Sequence, residues 1–158
     1  MLLRKLLQTP LLAYAAVSYV RHKYENGKVT VRFIAAKEKV TPTKVTSVPR
    51  LELMAAVLGL RLASKVSELL QIPFENCILW TDSKDVIFWI QGQSRRYKTF
   101  VANRISGIHR KSSPRQWRPV PTDLNCAYDA TRGLHAKVLT SEHRWFSGPE
   151  FLSEHEDV

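Results

Sequence analysis

The chain has 158 residues, of which 44% are hydrophobic, so it can bury one core but is too short for two ordinary domains. Lysine and arginine outnumber aspartate and glutamate by 24 to 14, and the resulting net charge of +10 favours a polyanionic partner. The two cysteines have the spacing of neither a zinc site nor a disulfide framework, which favours a reducing, intracellular compartment such as the cytoplasm or nucleus.

Residues 1–12 are predicted to be a leader or a truncated first strand. Their apolar run is interrupted by Arg4, Lys5 and Gln8, and no stretch of the chain approaches the length of a membrane span. A secretion signal is therefore disfavoured. A mitochondrial presequence stays open, because four basic residues precede the first acidic one, Glu25.

The next segment has the pattern of antiparallel strands. Aromatic and β-branched residues predict a strand from Leu12 to Lys23 and a returning strand from Val29 to Ala36. Between them, Asn26-Gly27 readily adopts the positive φ angles of a tight hairpin turn. A third strand is expected near Val40–Thr46.

A helix and a buried strand then each carry an acidic residue. Apolar residues at steps of three and four after Pro49 predict a helix with Glu52 in its first turn. The apolar run before Asp82 predicts a buried strand, and Ser83 is placed to cap the following helix. Both carboxylates can converge on a divalent cation, although such a pair alone is a weak signal.

A basic segment follows, and the charge then reverses. Residues 91–118 contain eight lysines and arginines and no acid, with one apolar helical face formed by Phe100, Val101, Ile105 and Ile108. We expect the last strand at Arg115–Val120 and the closing helix to open within Asn125–Gly133. From Glu142 onward five acids face one arginine, and we expect this tail or connector, residues 142–158, to fray.

Four motifs occur in a fixed order along the chain. They are Val48-Pro49-Arg50-Leu51-Glu52-Leu53, Leu79-Trp80-Thr81-Asp82-Ser83, Arg96-Tyr97-Lys98-Thr99-Phe100-Val101-Ala102-Asn103-Arg104-Ile105 and Ala130-Thr131-Arg132-Gly133-Leu134. Together they resemble the ribonuclease H-like region of BEL/Pao retrotransposon polyproteins, from about Ala13 to about Glu150. The resemblance implies an α/β domain over residues 13–141 with a ribonuclease H-like fold: a mixed sheet, antiparallel hairpin then parallel strands, with helices packed on it.

The resemblance also implies an activity and its ligands. Enzymes of this kind cut the RNA strand of an RNA–DNA hybrid with two magnesium (or manganese) ions held by four carboxylates. Glu52 and Asp82 stand at two of these metal positions. At the other two, the alignment of motifs places Gln8 and Tyr128, neither of which supplies a carboxylate's charge. Asp129, beside Tyr128, is the one candidate catalytic replacement, and it requires a shift of one residue in register.

We therefore expect a nucleic-acid-binding domain whose nuclease activity is weak or absent, and which needs no metal if the site is degenerate. Two alternatives stay open: an active hybrid ribonuclease that uses Asp129, and a domesticated protein-interaction domain. His135 lies near the last acid position and is more simply a surface residue. The residues expected to contact nucleic-acid backbone are Arg95, Arg96, Lys98, Asn103 and Arg104.

Overall fold

The structure is a computed structural model that describes residues 2–3, 13–42, 46–130 and 140–154. Its strands are β1 (Leu2–Leu3), β2 (Ala13–Lys23), β3 (Val29–Val40), β4 (Leu79–Thr81) and β5 (Trp117–Pro119). Its helices are α1 (Val48–Leu70), α2 (Lys84–Gln91), α3 (Thr99–His109), α4 (Ala127–Ala130) and α5 (Arg144–Ser147).

The five strands form one mixed sheet in the order β3-β2-β1-β4-β5. Strands β1, β2 and β3 pair antiparallel, whereas β1 with β4 and β4 with β5 pair parallel. The α/β class and the change from an antiparallel hairpin to parallel strands are therefore confirmed. Because β4 ends at Thr81, Asp82 emerges at the carboxyl end of a central strand.

The hairpin between β2 and β3 turns where its sequence predicts. Gly27 has a φ of 81°, and its N–H donates to the carbonyl of Tyr24 over 2.9 Å. The side chain of Asn26 accepts a hydrogen bond from the N–H of Lys28 at 3.0 Å. A left-handed conformation at this position has no steric cost for glycine, so Asn26-Gly27 sets the register of the two long strands.

Two expectations about strands are wrong for the described residues. The returning strand does not stop at Ala36 but runs to Val40, and Thr41, Pro42 and Thr46 are not in a strand. Val40 is 79% exposed, so the end of β3 lacks the inward-facing apolar residues that mark a strand in a sequence. The remaining strand of the sheet is instead β1, in the segment predicted to be a leader or a truncated first strand. The domain boundaries at residues 12 and 141 stay predictions.

Helix α1 begins and packs as its pattern predicts. Pro49 lies in its first turn, where the amide has no helical partner, and the N–H of Leu51 donates to the carbonyl of Ser47 at 3.1 Å. Its apolar face packs with α2 and α3 on one side of the sheet, in a cluster that includes Leu53, Leu79, Ile90, Ile105 and Ile108. Each of these side chains is almost fully buried and contributes about 1.5–3 kcal/mol.

The opposite side of the sheet is covered by the C-terminal segment. Leu152 is buried with Val17 and Val31, and the hydroxyl of Tyr19 donates to the carbonyl of Trp145 at 2.9 Å. Arg21 Nε donates to the carbonyl of Leu152, also at 2.9 Å. The expectation that the acidic tail frays is therefore wrong for residues 142–154, because its aromatic and apolar residues dock on the sheet. In the part of the chain described here, no helix is both long and apolar enough to cross a membrane.

Candidate functional site

A buried hydrogen bond links Glu52 to Ser83, the residue that follows Asp82. Glu52 lies near the start of α1 and is only 4% exposed, and the hydroxyl of Ser83 donates a hydrogen bond to its carboxylate. The same hydroxyl oxygen accepts from the N–H of Val86 at 3.2 Å, which caps α2. Both carboxylate oxygens of Asp82 are buried. The sequence identified Ser83 only as a helix cap, and the predicted convergence of Glu52 and Asp82 stays a prediction.

Asp129 does not join this pair but binds an arginine from the C-terminal segment. Arg144 Nε donates to Oδ2 of Asp129 at 2.8 Å, and Nη2 donates to Oδ1 at 2.7 Å. Arg144 also donates to the backbone carbonyl of Asp123. The hydrogen bonds that Arg144 donates to Asp129 raise the pKa of Arg144, and burial acts in the opposite direction. Asp129 is 8% exposed, and Arg144, which is itself partly buried, balances its charge.

The described residues do not fit a two-metal centre. Two adjacent divalent ions need several anionic oxygens, yet within residues 2–3, 13–42, 46–130 and 140–154 no three His, Cys, Asp or Glu side chains converge as a metal site. Tyr128 lies in α4 immediately before Asp129, and Gln8 lies outside the described residues. Whether Glu52 and Asp82 hold a metal ion stays a prediction.

The predicted basic contacts lie on and just before α3. Arg95 and Arg96 are exposed in a short 3-10 turn, and exposed Lys98 is the N-cap residue of α3. Asn103 is exposed on the helix, whereas Arg104 is half-buried. Four of the five predicted contacts are therefore open to solvent.

Arg104 connects this basic region to the helix that carries Glu52. Its guanidinium carbon lies 3.5 Å from the centroid of the Phe100 ring, and its Nη1 donates to the Phe100 carbonyl at 3.0 Å. The guanidinium of Arg50, two residues before Glu52, lies 5.0 Å from the same ring centroid. Two cations thus share one aromatic ring beside the start of α1.

Arg50 and Arg61 on α1 were missed as functional candidates. The signal was present, because residues eleven apart on a helix lie within about 20° of the same direction. In the sequence, α1 was interpreted through its apolar face, which indicates core packing, and the charged residues at the edge of that face were not considered. Arg61 lines the same surface clefts as Arg104.

The remaining candidates have structural surroundings or fall outside the described residues. His109 Nε2 lies 2.7 Å from the carbonyl of Ile90, a contact that joins α3 to α2. Asp85 is exposed in the first turn of α2, where a negative charge favours the helix N-terminus. Arg132 and His135 lie outside the described residues.

Comparison with known protein families gives one match. Residues 11–83 match the family described as the Pao retrotransposon-like RNaseH-like domain. The match includes the motifs around Glu52 and Asp82, whereas the motifs around Asn103 and Arg132 lie beyond it. Searches among curated proteins and among solved structures found no match.

Proposed function

Residues 11–83 belong to the Pao retrotransposon-like RNaseH-like domain family, and from this premise we propose that the chain binds RNA–DNA hybrid with weak or absent nuclease activity. The chain is a retrotransposon-derived domain with a ribonuclease H-like fold. Its proposed role is that of a binding domain whose metal-dependent chemistry has been impaired.

The observation that carries this proposal is the contact between basic residues of α1 and α3 at the helix turn that carries Glu52. We define the basic surface as Arg50, Arg95, Arg96, Lys98 and Arg104. Because Arg50 and Arg104 share the Phe100 ring at the start of α1, a polyanion held by this surface lies next to the helix turn that carries Glu52. Lysine and arginine at such a surface neutralise phosphates without reading sequence.

Impaired chemistry is supported by the surroundings of Asp129. A carboxylate that accepts two hydrogen bonds from one guanidinium has its best acceptor positions occupied, and losing that partner is costly. The alternative in which Asp129 completes the metal site therefore requires this ion pair to break. Asp129 and Arg144 are 15 residues apart, and both are held by packed segments of the chain.

Binding can be tested by fluorescence anisotropy of a short labelled hybrid at several salt concentrations. We expect wild-type protein to bind at low salt, with log K falling linearly against log salt. Reversing Arg95, Arg96 and Lys98 to glutamate should abolish measurable binding. The charge-matched control reverses three exposed lysines on the β2–β3 hairpin: Lys23, Lys28 and Lys37.

The two triple variants change the net charge by the same amount, so a difference in their binding reports the position of the charges and not their number. Binding that survives in the control and disappears in the first variant supports the proposed surface. Equal loss in both variants would mean that only net charge matters. Absence of binding by the wild-type chain would contradict the proposed function, and equal binding to an unrelated acidic protein would favour the protein-interaction alternative.

A further inference from the structure

Two clefts meet along helices α1 and α3 to form one groove. The first, of about 250 Å³, lies between these helices and the paired residues Tyr14 and Lys39 of β2 and β3. The second, of about 490 Å³, continues past Asn103 toward the end of α3. The two clefts share Val57, Arg61 and Arg104 in their linings. We call this combined feature the α1–α3 groove.

The α1–α3 groove is lined by basic and by apolar side chains. Met54, Val57 and Leu58 contribute apolar wall, which weakens solvent screening of nearby charges. No acidic residue occurs among the described residues that line either cleft. Its basic residues are Lys39, Arg61, Arg104, Arg110 and Lys111.

The basic side chains of the groove repel one another, and the neutral hydroxyl of Tyr14 lies beside them. Burial lowers the pKa of the Arg104 guanidinium, and the charges of Arg50 and Arg61 lower it further. Burial raises the pKa of the Tyr14 hydroxyl, although Arg104 and Arg61 act in the opposite direction. Tyr14 therefore stays protonated near neutral pH and can donate a hydrogen bond. An anion in the groove would relieve the repulsion.

We infer that the α1–α3 groove holds a phosphate of the bound nucleic-acid strand, with Arg61 and Arg104 as charged donors and Tyr14 as a neutral donor. The inference rests on the proposed function, because the phosphate belongs to the same bound strand. It also gives Asn103-Arg104 a physical role, since both residues line the groove.

The length of the groove favours a strand over an isolated phosphate. Arg104 and Arg110 are six residues apart along α3 and its C-cap, which corresponds to about 9 Å. One strand of a duplex presents a phosphate about every 3.4 Å of helix axis, so on the order of three phosphates pass along this distance. A single phosphate at Arg61 and Arg104 would leave Arg110 and Lys111 unused.

The test compares hybrid binding by wild-type protein, Arg61→Gln, Tyr14→Phe and the control Arg115→Gln. Arg115 is also exposed and carries the same charge, but it lies in the 3-10 turn before β5, outside the groove. We expect Arg61→Gln to weaken binding about tenfold, as for loss of one charge-assisted contact. It should also reduce the slope of log K against log salt by about 0.9, because one fewer counterion is released.

The other variants separate a specific contact from general charge and from misfolding. Tyr14→Phe should weaken binding less than Arg61→Gln and leave the salt slope unchanged, because it removes a neutral donor. Circular dichroism and thermal melting should be unchanged in Arg61→Gln, whose side chain is exposed. In wild-type protein, titration with inorganic phosphate should shift the amide NMR signals of Asn103 and Gly107, and Arg61→Gln should remove this shift.

The outcomes distinguish this inference from the function on which it rests. If the wild-type chain binds hybrid while Arg61→Gln and Arg115→Gln both bind equally well, the groove assignment is overturned and the proposed function stands. If the wild-type chain does not bind hybrid, the proposed function fails and the inference fails with it. Weaker binding and a smaller salt slope in Arg61→Gln alone support the groove as the phosphate site.

Discussion

The guanidinium of Arg144 donates two hydrogen bonds, of 2.7 and 2.8 Å, to the two carboxylate oxygens of Asp129. This contact joins helix α4 to helix α5 and fixes the C-terminal segment against the sheet side that contains Tyr19. Asp129 is the carboxylate considered above as a replacement for the ligand expected at Tyr128, and in the structure it is engaged in this ion pair. Because Asp129 could bind a metal ion only if this ion pair broke, the pairing supports the proposal of impaired nuclease activity.

A double-mutant cycle measures this ion pair. We expect Arg144→Gln and Asp129→Asn each to lower the free energy of unfolding by about 1–3 kcal/mol, between the values for exposed and for buried pairs, because Arg144 is 39% exposed. The double mutant should be no less stable than the worse single mutant. Denaturant unfolding provides the values. The exposed Lys65–Glu68 pair is the control and should contribute at most about 0.5 kcal/mol. Additive losses at Arg144 and Asp129 would contradict the pairing.

Ser83→Ala tests the connection between the acid-bearing elements. The change removes the hydrogen bond to Glu52 and the cap on the N–H of Val86 from a side chain that is almost completely buried. We expect a loss of about 1–3 kcal/mol in unfolding free energy. Ser113→Ala is the matched control, because Ser113 caps an exposed 3-10 turn and its loss should cost less. Equal losses in the two variants would argue against the buried connection.

Gly92 and Tyr97 position the basic turn before α3. Gly92 ends α2, and a Cβ at this residue would overlap the hydroxyl of Tyr97. We expect Gly92→Ala to cost about 1–2 kcal/mol of stability and to weaken hybrid binding, because Tyr97 must move with the adjacent Arg95 and Arg96. Removing the hydroxyl with Tyr97→Phe in the same chain should restore much of both losses. Thermal melting measures the stability and fluorescence anisotropy the hybrid binding. If Tyr97→Phe restores neither, the overlap with the Tyr97 hydroxyl is not the cause of the losses.

The two cysteines should differ in their reaction with iodoacetamide. Burial raises the pKa of both thiols, which lowers the reactive thiolate fraction at any given pH. Cys77 is half-buried and should react more slowly than free cysteine, while fully buried Cys126 should stay unmodified until the protein unfolds. Peptide mass spectrometry follows each site over time at about pH 8. Native-state labelling of Cys126 at the rate of Cys77 would show that the C-terminal segment opens readily.

Local patterns in the sequence predicted much of the fold. Asn26-Gly27 specifies its turn through backbone conformation, Pro49 marks the start of α1, and Ser83 caps α2 as expected. Each of these features depends on neighbouring residues, whose chemistry is visible in the sequence. The order of elements also placed Asp82 directly after β4, where the structure has it.

Features that depend on distant residues were not predictable in the same way. Arg144 finds Asp129 only after the C-terminal segment has docked, and a count of acids in that segment suggested that it frays. Strand β1 was only one of two alternatives for residues 1–12, because two leucines beside Arg4 and Lys5 have no strand pattern of their own. Their place in the sheet is set by pairing with β2 and β4.

The most direct test of the account is a cleavage assay on labelled RNA–DNA hybrid. Wild-type protein and Asp82→Asn are incubated with magnesium or manganese and then with chelator, and hybrid binding is measured in the same samples. We predict that both proteins bind hybrid in a salt-dependent way and that neither cuts it. Cleavage by the wild-type chain that requires metal and is abolished by Asp82→Asn would contradict the account, because the chain would then have a complete metal site.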